Sequence, residues 1–252
     1  MKPMDDASRR SRPGSDGDEA ETFRRRLDIL EAGSWFRELP ADVKRPLLAA
    51  CCVREVPAGG LIHSQGDAPD GLYAVLSGSV KVSSLSPEGR ECIFRYLAPA
   101  SWFGEIGMLD GAARTHDAVA VSDTILLFLP PPELHRLLAA YPILYKFIAL
   151  LLCRVVRTAF TMLNDTTLLS VSARLAKRLV SFAEAYGRPH KRGVQITLHM
   201  TQDQLAVLTS ATRQTINKRL VDWQKLGWID ARYGRIVVLN LQALRQLAES
   251  GG

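Results

Sequence analysis

The sequence has few cysteines, no long apolar run and no catalytic set, and each shortage excludes a class of protein. Its four cysteines show no CxxC or Cys/His spacing of a zinc site. The apolar stretch at 147–153 is far shorter than the roughly 20 residues of a membrane helix, and the first residues lack a signal-peptide core. No phosphate loop or nucleophile–base pair stands out in the sequence. We therefore expect a soluble, cytoplasmic protein that is not an enzyme, contacts no membrane and holds no metal.

Length and charge indicate what is present instead. The 252 residues, 47% of them hydrophobic, are enough for two modest domains with a core each. The net charge is +6, and residues 190–252 alone carry nine Lys or Arg against four Asp or Glu, a net of +5. This excess favours an anionic partner for the C-terminal part of the chain.

Hydrophobic patterning divides the chain into four parts. Residues 1–22 have almost nothing to bury and predict a disordered lead. Within 23–132, a helical cap over 27–52 precedes short β-rich runs separated by Gly, Pro, Asp and Ser, which is typical of an antiparallel barrel or jelly roll. Residues 133–166 return to helical spacing as one long helix, and 167–252 form a second domain.

The long helix has two apolar flanks. One stripe steps by three and four residues through Leu144, Ile148, Leu151, Val155, Ala159 and Met162. The other flank carries Leu152, Val156 and Leu163. The first stripe alone could pack on its own domain, but the second flank and the position between two domains favour dimerisation. A second helix over 168–186 and a polar break at 187–193 follow.

The strongest motif is a helix-turn-helix at 200–229. Thr201 and Gln204 have the spacing of a capping box at the start of the first helix. After a short turn, Thr212 is the N-cap expected for a second helix. One face of that second helix is apolar and consists of Ile216, Leu220 and Trp223.

The opposite face of the second helix is polar, as a recognition helix requires to reach base edges in the major groove. A two-strand pattern at 229–239, with a turn at Tyr233 and Gly234, predicts a wing that touches the DNA backbone. We expect DNA contacts from Thr201, Gln202, Thr212, Arg213, Gln214, Thr215, Asn217, Lys218, Arg232 and Arg235. The alternative is a helical hairpin whose polar face is only solvated.

Three blocks, in order along the chain, carry a resemblance to a known family. They are GDAPDGLYAVLSGSVKV at 66–82, GEIGMLDGAART at 104–115 and TRQTINKRL at 212–220. From about Leu30 to Leu244 the chain resembles the cyclic AMP receptor and fumarate-nitrate reduction (CRP/FNR) family of transcription regulators. The resemblance implies an α+β fold with a cyclic-nucleotide-binding β jelly-roll barrel, a long dimerisation helix and a C-terminal winged helix-turn-helix.

In family members that bind cyclic nucleotides, the second block holds the sugar and the cyclic phosphate. The resemblance implies that Gly104 offers its backbone N–H, Glu105 accepts from the ribose 2′-hydroxyl, and Arg114 and Thr115 bind the phosphate. The implied effector is cyclic AMP, cyclic GMP or cyclic di-GMP. The implied ligand-binding residues are Gly104, Glu105, Ile106, Arg114, Thr115, Ala159 and Phe160.

Several residues leave alternatives open at this site. Where the cyclic AMP receptor has a Thr-Ser pair, this chain has Ala159 and Phe160, so the base stacks on Phe160, another ligand binds, or the pocket is filled. Arg114 and Glu105 could instead form an internal ion pair that braces the barrel. His116 is expected to be a solvated loop residue rather than one that tunes ligand charge. The cysteines lack the pattern of iron–sulfur members, and no haem is expected.

The implied function is sequence-specific regulation of transcription by a homodimer under allosteric control of a small effector. In the family, an Arg-Glu-x-x-x-Arg pattern reads the bases, and the matching residues here are Arg213, Gln214 and Lys218. This match predicts a palindromic operator whose TGTGA-type half-sites are altered at the base pair that Gln214 reads. The expected partners are double-stranded DNA, a second copy of the chain and, as a candidate, RNA polymerase. Two alternatives are a regulator that needs no cyclic nucleotide and a sensor-interaction protein whose winged helix contacts another protein. Ser210 replaces a common Gly in the turn, which strains a left-handed backbone there.

Overall fold

The chain begins with a helical segment that packs on the first domain. The computed structural model describes residues 16–232 and 234–250, with side chains from residue 21 onward. Its first helices are α1 Asp16–Glu31, α2 Ser34–Arg37 and α3 Ala41–Ala49. The predicted disordered lead over 1–22 is therefore wrong for 16–22, while 1–15 lie outside the described residues. Within α1, Phe23, Leu27 and Leu30 form one apolar stripe that packs on the domain core.

Two four-stranded antiparallel sheets face each other and confirm the predicted jelly roll. Their strands are β1 Cys52–Val56, β2 Leu61–His63, β3 Leu72–Ser77, β4 Val80–Leu85, β5 Glu91–Leu97, β6 Trp102–Phe103, β7 Asp117–Ala120 and β8 Thr124–Leu129. The strand orders are β1-β8-β3-β6 and β2-β7-β4-β5. A short helix that the sequence did not predict, α4 Glu105–Asp110, connects β6 towards β7.

Strand β3 contributes to two cores because its side chains alternate between the two faces of the sheet. Leu72 and Ala74 pack against the helices, and Tyr73 and Val75 pack between the two sheets. All four side chains are buried. The near-continuous apolar run of β3 is thus explained by burial on both faces.

The predicted single helix over 133–166 is two helices, α5 Pro131–Ala140 and α6 Ile143–Leu168. Pro142 disfavours helical geometry at Tyr141, which caps α5 with φ −132° and ψ 76°. The first turns of α6 then bury Leu144 and Ile148 in the core of the first domain. In this part of the stripe, the interpretation as packing on the chain's own domain is confirmed.

The second domain packs helices against one further four-stranded sheet. Its elements are α7 Val171–Tyr186, β9 Gly187–His190, β10 Gly193–Ile196, α8 Gln202–Leu208, α9 Arg213–Lys225, β11 Ile229–Arg232, β12 Arg235–Val238 and α10 Leu241–Ser250. The strand order is β11-β12-β10-β9. The predicted polar break at 187–193 is wrong in part, because 187–190 form a strand. Pro189 is tolerated there because β9 is an edge strand.

The two domains touch through strand β5. Ile93 is 2% exposed and belongs to the core of the second domain. The ring of Tyr96 lies edge-on to Phe182 of α7, with 5.8 Å between the ring centroids. In the described ranges, none of the helices combines the length and apolar character needed to cross a membrane.

Candidate functional site

The first candidate site surrounds the start of α4 in the barrel. Gly104 precedes this helix with φ 94°, a conformation that favours glycine. A Cβ at Gly104 would lie 2.9 Å from both Arg114 Nη1 and Gly71 O. The glycine therefore allows the Arg114 guanidinium to pack directly against the backbone.

Arg114 is held by three acceptors inside the barrel. Its Nη1 donates to Gly104 O at 2.8 Å, and its Nη2 donates to Gly71 O at 2.6 Å and to Asp70 Oδ1 at 2.7 Å. The Tyr73 hydroxyl also donates to Asp70. Burial would raise the pKa of Asp70, but the hydrogen bonds from Tyr73 and Arg114 hold it below its usual range. The carboxylate partner of Arg114 is thus Asp70, and the alternative ion pair with Glu105 is wrong.

Glu105 is buried, and backbone N–H groups at Gly104 and Glu105 compensate only part of the cost. Its side chain is 2% exposed, and its Oε1 has no hydrogen-bond partner among the described residues. The nearest cation is Arg95, whose Nη2 lies 4.0 Å from Oε1. Burial raises the pKa of Glu105. A buried acceptor of this kind is suited to a hydroxyl donor such as a ribose group.

Two histidines line the same cavity. His63 is 5% exposed, and neither ring nitrogen has a hydrogen-bond partner within the described ranges. The His116 ring lies 5.8 Å away between centroids, and its Nδ1 shares a 2.7 Å hydrogen bond with the Thr115 hydroxyl. Burial lowers the pKa of both histidines to about 4, with Arg114 the next cause at His63 and Arg95 at His116. His116 lies in the loop before β7 as expected, but it is not fully solvated, because it is half-buried beside His63.

The cavity brings together five of the seven sequence-predicted ligand residues. Its lining consists of His63, Gly104, Glu105, Ile106, Gly107, Arg114, Thr115 and His116. Its free volume is about 10 Å³, whereas small-molecule sites usually measure about 300–1,000 Å³. Ala159 and Phe160 lie exposed on α6 and do not line it. The ligand roles of all seven residues stay predictions.

The second candidate site is the helix-turn-helix formed by α8 and α9. Both predicted caps are confirmed. Thr201 accepts from Gln204 N while the Gln204 side chain accepts from Thr201 N, which makes a capping box. Thr212 accepts from Thr215 N at 3.2 Å. The apolar face of α9 is buried as predicted, through Ile216, Leu220 and Trp223.

The polar face of α9 is open to solvent. Arg213, Gln214 and Lys218 are all exposed on it. Asn217 accepts a 3.2 Å hydrogen bond from the side chain of Gln202, so α8 and α9 are joined at this face. Side-chain donors at the start of α9 are thus accessible to base edges and phosphates.

A cleft of about 380 Å³ separates this face from the wing. Strands β11 and β12 form the wing, whose predicted turn residue Tyr233 lies outside the described residues. Arg232 and Arg235 project from it exposed, and Gln224 of α9 donates to Ala231 O at 3.3 Å. Among the residues lining the cleft are the sequence-predicted Thr201, Gln202, Arg213, Asn217, Arg232 and Arg235.

Arg174 of α7 connects the end of α6 to the helix-turn-helix. Its Nη1 donates to Leu169 O at 2.5 Å and to Thr166 O at 3.3 Å. Its Nε donates to Thr209 O, in the turn between α8 and α9, at 2.9 Å. One side chain thus joins the long helix to the candidate DNA-reading unit.

Sequence reasoning missed several residues at both sites. Asp70 lies within the 66–82 block, so the motif contained a signal for it. His63 and Arg95 come from strands with no motif, and only the fold brings them to the cavity. Gln224 was also missed on the DNA side. In the part of the chain that the structure describes, no group of three His, Cys, Asp or Glu side chains could hold a metal ion.

Comparison with known proteins identifies both units. A family described as the cyclic nucleotide-binding domain matches residues 53–141, and the Crp-like helix-turn-helix domain matches residues 173–247. The transcriptional regulator SdrP of Thermus thermophilus is 31% identical over 186 residues, covering 73% of this chain and 86% of that protein. The CRP-like cAMP-activated global transcriptional regulator of Mycobacterium tuberculosis is 28% identical over 194 residues, covering 77% and 87%.

A solved structure agrees with this match. The crystal structure of a CRP/FNR-family transcriptional regulator from Thermus thermophilus is 28% identical, with a TM-score of 0.63, and covers 80% of this chain and 100% of that one. These proteins are transcription regulators and not enzymes. The chain therefore belongs to the CRP/FNR family of transcription regulators.

Proposed function

We propose that a cyclic nucleotide held in the barrel cavity controls the binding of this regulator, as a cytoplasmic homodimer, to a palindromic DNA site. The observation that carries the effector is the convergence of Arg114, Glu105 and Thr115 on one cavity. Buried Glu105 Oε1 and Arg114 Nε have no hydrogen-bond partner among the described residues, and a ligand would supply one. A relative from Mycobacterium tuberculosis is named as cAMP-activated.

Each polar residue has a role that its chemistry suits. Arg114 would bind the cyclic phosphate, with Thr115 and the N–H of Gly104 as further donors, and Glu105 would accept from the ribose. Ile106 would pack against the sugar. Because the free volume is only about 10 Å³, the segment around α4 has to move for a ligand to enter.

The base would be covered from the long helix. Phe160 is 62% exposed and has an aromatic face available for stacking, and Ala159 leaves room beside it. Within one chain these residues do not line the cavity. In the proposed dimer, α6 packs on α6 of the partner, and ligand entry shifts that contact and reorients the two recognition helices.

On DNA, the exposed start of α9 would enter the major groove. Arg213 and Lys218 suit guanine O6 and N7, and Gln214 suits adenine, so we propose TGTGA-type half-sites altered at the pair read by Gln214. Recovery of unaltered TGTGA half-sites in a selection from random duplexes would contradict this assignment. The wing arginines and the threonine caps would contact phosphates, and RNA polymerase is the candidate protein partner.

The test is fluorescence anisotropy of a labelled palindromic duplex with purified protein. It compares no nucleotide, cyclic AMP, cyclic GMP and cyclic di-GMP at two salt concentrations. Two concentrations are needed because the number of phosphate contacts determines how steeply DNA affinity falls with salt. We expect one nucleotide to tighten binding severalfold. We expect Arg213→Ala and Lys218→Ala each to weaken binding about tenfold or more. Lys225→Ala, in the last turn of the same helix, is the matched control and should change affinity little.

A second candidate function is regulation that needs no cyclic nucleotide. The closed cavity and the three acceptors that already hold Arg114 favour it. Tight DNA binding with no nucleotide effect would support this candidate. If Arg213→Ala and Lys218→Ala left DNA affinity unchanged, the winged helix would instead be a protein-contact surface.

A further inference from the structure

The cavity contains two titratable residues, His63 and His116, to which the proposed function gives no role. Both rings line it, and His63 is buried, with the His116 backbone nearby but no hydrogen bond of good geometry to either ring nitrogen among the described residues. A buried imidazole without a hydrogen bond lowers the stability of the fold, which points to a further use for this ring. Its neighbours Tyr73 and Phe103 make only ring contacts, at 6.2 Å between centroids.

The charges around the two rings leave no positive charge free for an anion. The titratable and charged groups that face them, or that pair with those groups, are Arg54, Asp70, Tyr73, Arg95, Glu105, Arg114 and Asp117. Three of these groups are cations and three are carboxylates. Arg114 is 2.7 Å from Asp70, and Arg95 faces Glu105 at 4.0 Å. A phosphate monoanion added here would therefore exceed the available positive charge.

We propose that His63 and His116 contact the phosphate of the bound ligand and that its binding takes up a proton from solvent on this pair. An imidazolium donates from both ring nitrogens and supplies the missing positive charge. The inference rests on the proposed function, since it concerns the ligand of the same cavity. It makes the pair a specificity element for phosphate-bearing ligands, because an uncharged ligand would not favour protonation.

The direction of the pH effect follows from the surroundings. Without ligand, burial and the neighbouring arginines lower the pKa of both rings to about 4 and keep them neutral at pH 6 to 8. A buried phosphate reverses this by favouring the charged ring. Ligand affinity should therefore rise as pH falls, by about tenfold from pH 8 to pH 6 if one proton is taken up with a bound-state pKa near neutrality.

The experiment is isothermal titration calorimetry of the full chain with cyclic AMP, cyclic GMP and cyclic di-GMP. Titrations at pH 6, 7 and 8, in two buffers of different ionisation enthalpy, report affinity and the number of protons taken up. We expect tighter binding at pH 6 and an uptake of about half a proton to one proton at pH 7.

His63→Phe keeps a ring in the buried position, and His116→Asn keeps a polar group. We expect each to flatten the pH dependence to about twofold or less. His135→Asn, exposed on α5, is the control and should match the unmodified protein.

The outcomes separate the two proposals. Binding of a nucleotide with equal affinity at pH 6 and pH 8 and with no proton uptake would overturn this inference and leave the proposed function intact. Variants at His63 and His116 that keep the full pH dependence would overturn the assignment to this pair. If none of the three nucleotides bound at any pH, the proposed effector control and this inference would both fail.

Discussion

Ser210 occupies the turn between α8 and α9 with φ 48°, in the left-handed region that costs an L-residue about 1–2 kcal/mol. The sequence predicted this strain from the position of the serine. We expect Ser210→Gly to raise the free energy of unfolding by about 0.5–1 kcal/mol, since glycine loses some of the gain through its freer unfolded chain. Urea unfolding followed by circular dichroism measures it. Ser181→Gly, on the exposed face of α7, is the contrast and should lower stability by about 0.5 kcal/mol.

His63 makes stability depend on pH in a defined direction. Its folded-state pKa is about 4, below the ordinary 6.5, so the unfolded chain binds the proton first as pH falls. The contribution of His63 to folding stability is therefore present in full above pH 6.5 and is lost as the pH falls from 6.5 to about 4. We expect His63 to lower the free energy of unfolding by about 2 kcal/mol between pH 7 and pH 5.

The corresponding variant is His63→Phe, whose loss of stability from pH 7 to pH 5 should be about 2 kcal/mol smaller than that of the unmodified protein. Urea midpoints at the two pH values provide the comparison. The control is His135→Phe, on the exposed side of α5, which should keep the original difference. Equal pH dependence in all three proteins would contradict the buried, neutral state of His63.

At the scale of elements, Arg174 is the side chain that joins α6 to the turn between α8 and α9. Arg174→Met removes donors to three backbone carbonyls while keeping an unbranched side chain. We expect this variant to lose about 1–2 kcal/mol of local stability, so the backbone amides of residues 205–212 should exchange about tenfold faster than in the unmodified protein. Hydrogen exchange with mass spectrometry measures this. The segment of α6 buried in the first domain should keep its protection.

Arg245→Met is the matched control for this prediction. Arg245 lies in the same domain and pairs at the surface with Glu184 at 2.8 Å, away from α6. Surface ion pairs contribute little, so exchange in 205–212 should not change. If both variants gave the same exchange pattern, Arg174 would not have the connecting role that its hydrogen bonds indicate.

Local patterns predicted some elements and not others, for physical reasons. The capping box at Thr201 and the N-cap at Thr212 are short-range interactions, so their spacing predicts them. Pro142 was a signal for the break between α5 and α6, but the prediction treated the whole of 133–166 as one helix because of the apolar stripe that begins at Leu144. Strand β9 was not predicted, because Gly187 and Pro189 disfavour strands and only pairing with β10 holds them there.

At the scale of the whole molecule, the three sequence blocks predicted the order of domains. They did not predict that the cavity is closed. Closure depends on Asp70 reaching Arg114 from a loop 44 residues earlier, and on His63 of β2 meeting His116, which immediately precedes β7. Such contacts between distant positions follow from the fold and not from any periodicity. The contact of Ile93 with the second domain is of the same kind.

We expect the exposed flank of α6 to mediate the assembly of the molecule. Val156, Phe160 and Leu163 are 50%, 62% and 62% exposed and lie at i, i+4 and i+7, so they form one continuous apolar stripe. Such a stripe on a 26-residue helix suits parallel packing against the same stripe of a second copy. Leu163→Glu would bury two carboxylates near each other in that contact. We therefore expect this variant to be monomeric by light scattering at micromolar concentration.

The same variant separates dimerisation from DNA reading. A dimer binds a palindrome through two linked half-sites. Loss of the dimer should therefore lower the affinity for the palindrome by about 100-fold. Affinity for a duplex with one half-site should remain unchanged, because α9 is untouched. Thr158→Glu, exposed on the opposite side of α6, should leave both mass and affinity unaltered. A dimeric Leu163→Glu protein, or equal losses on both duplexes, would contradict assembly through this flank.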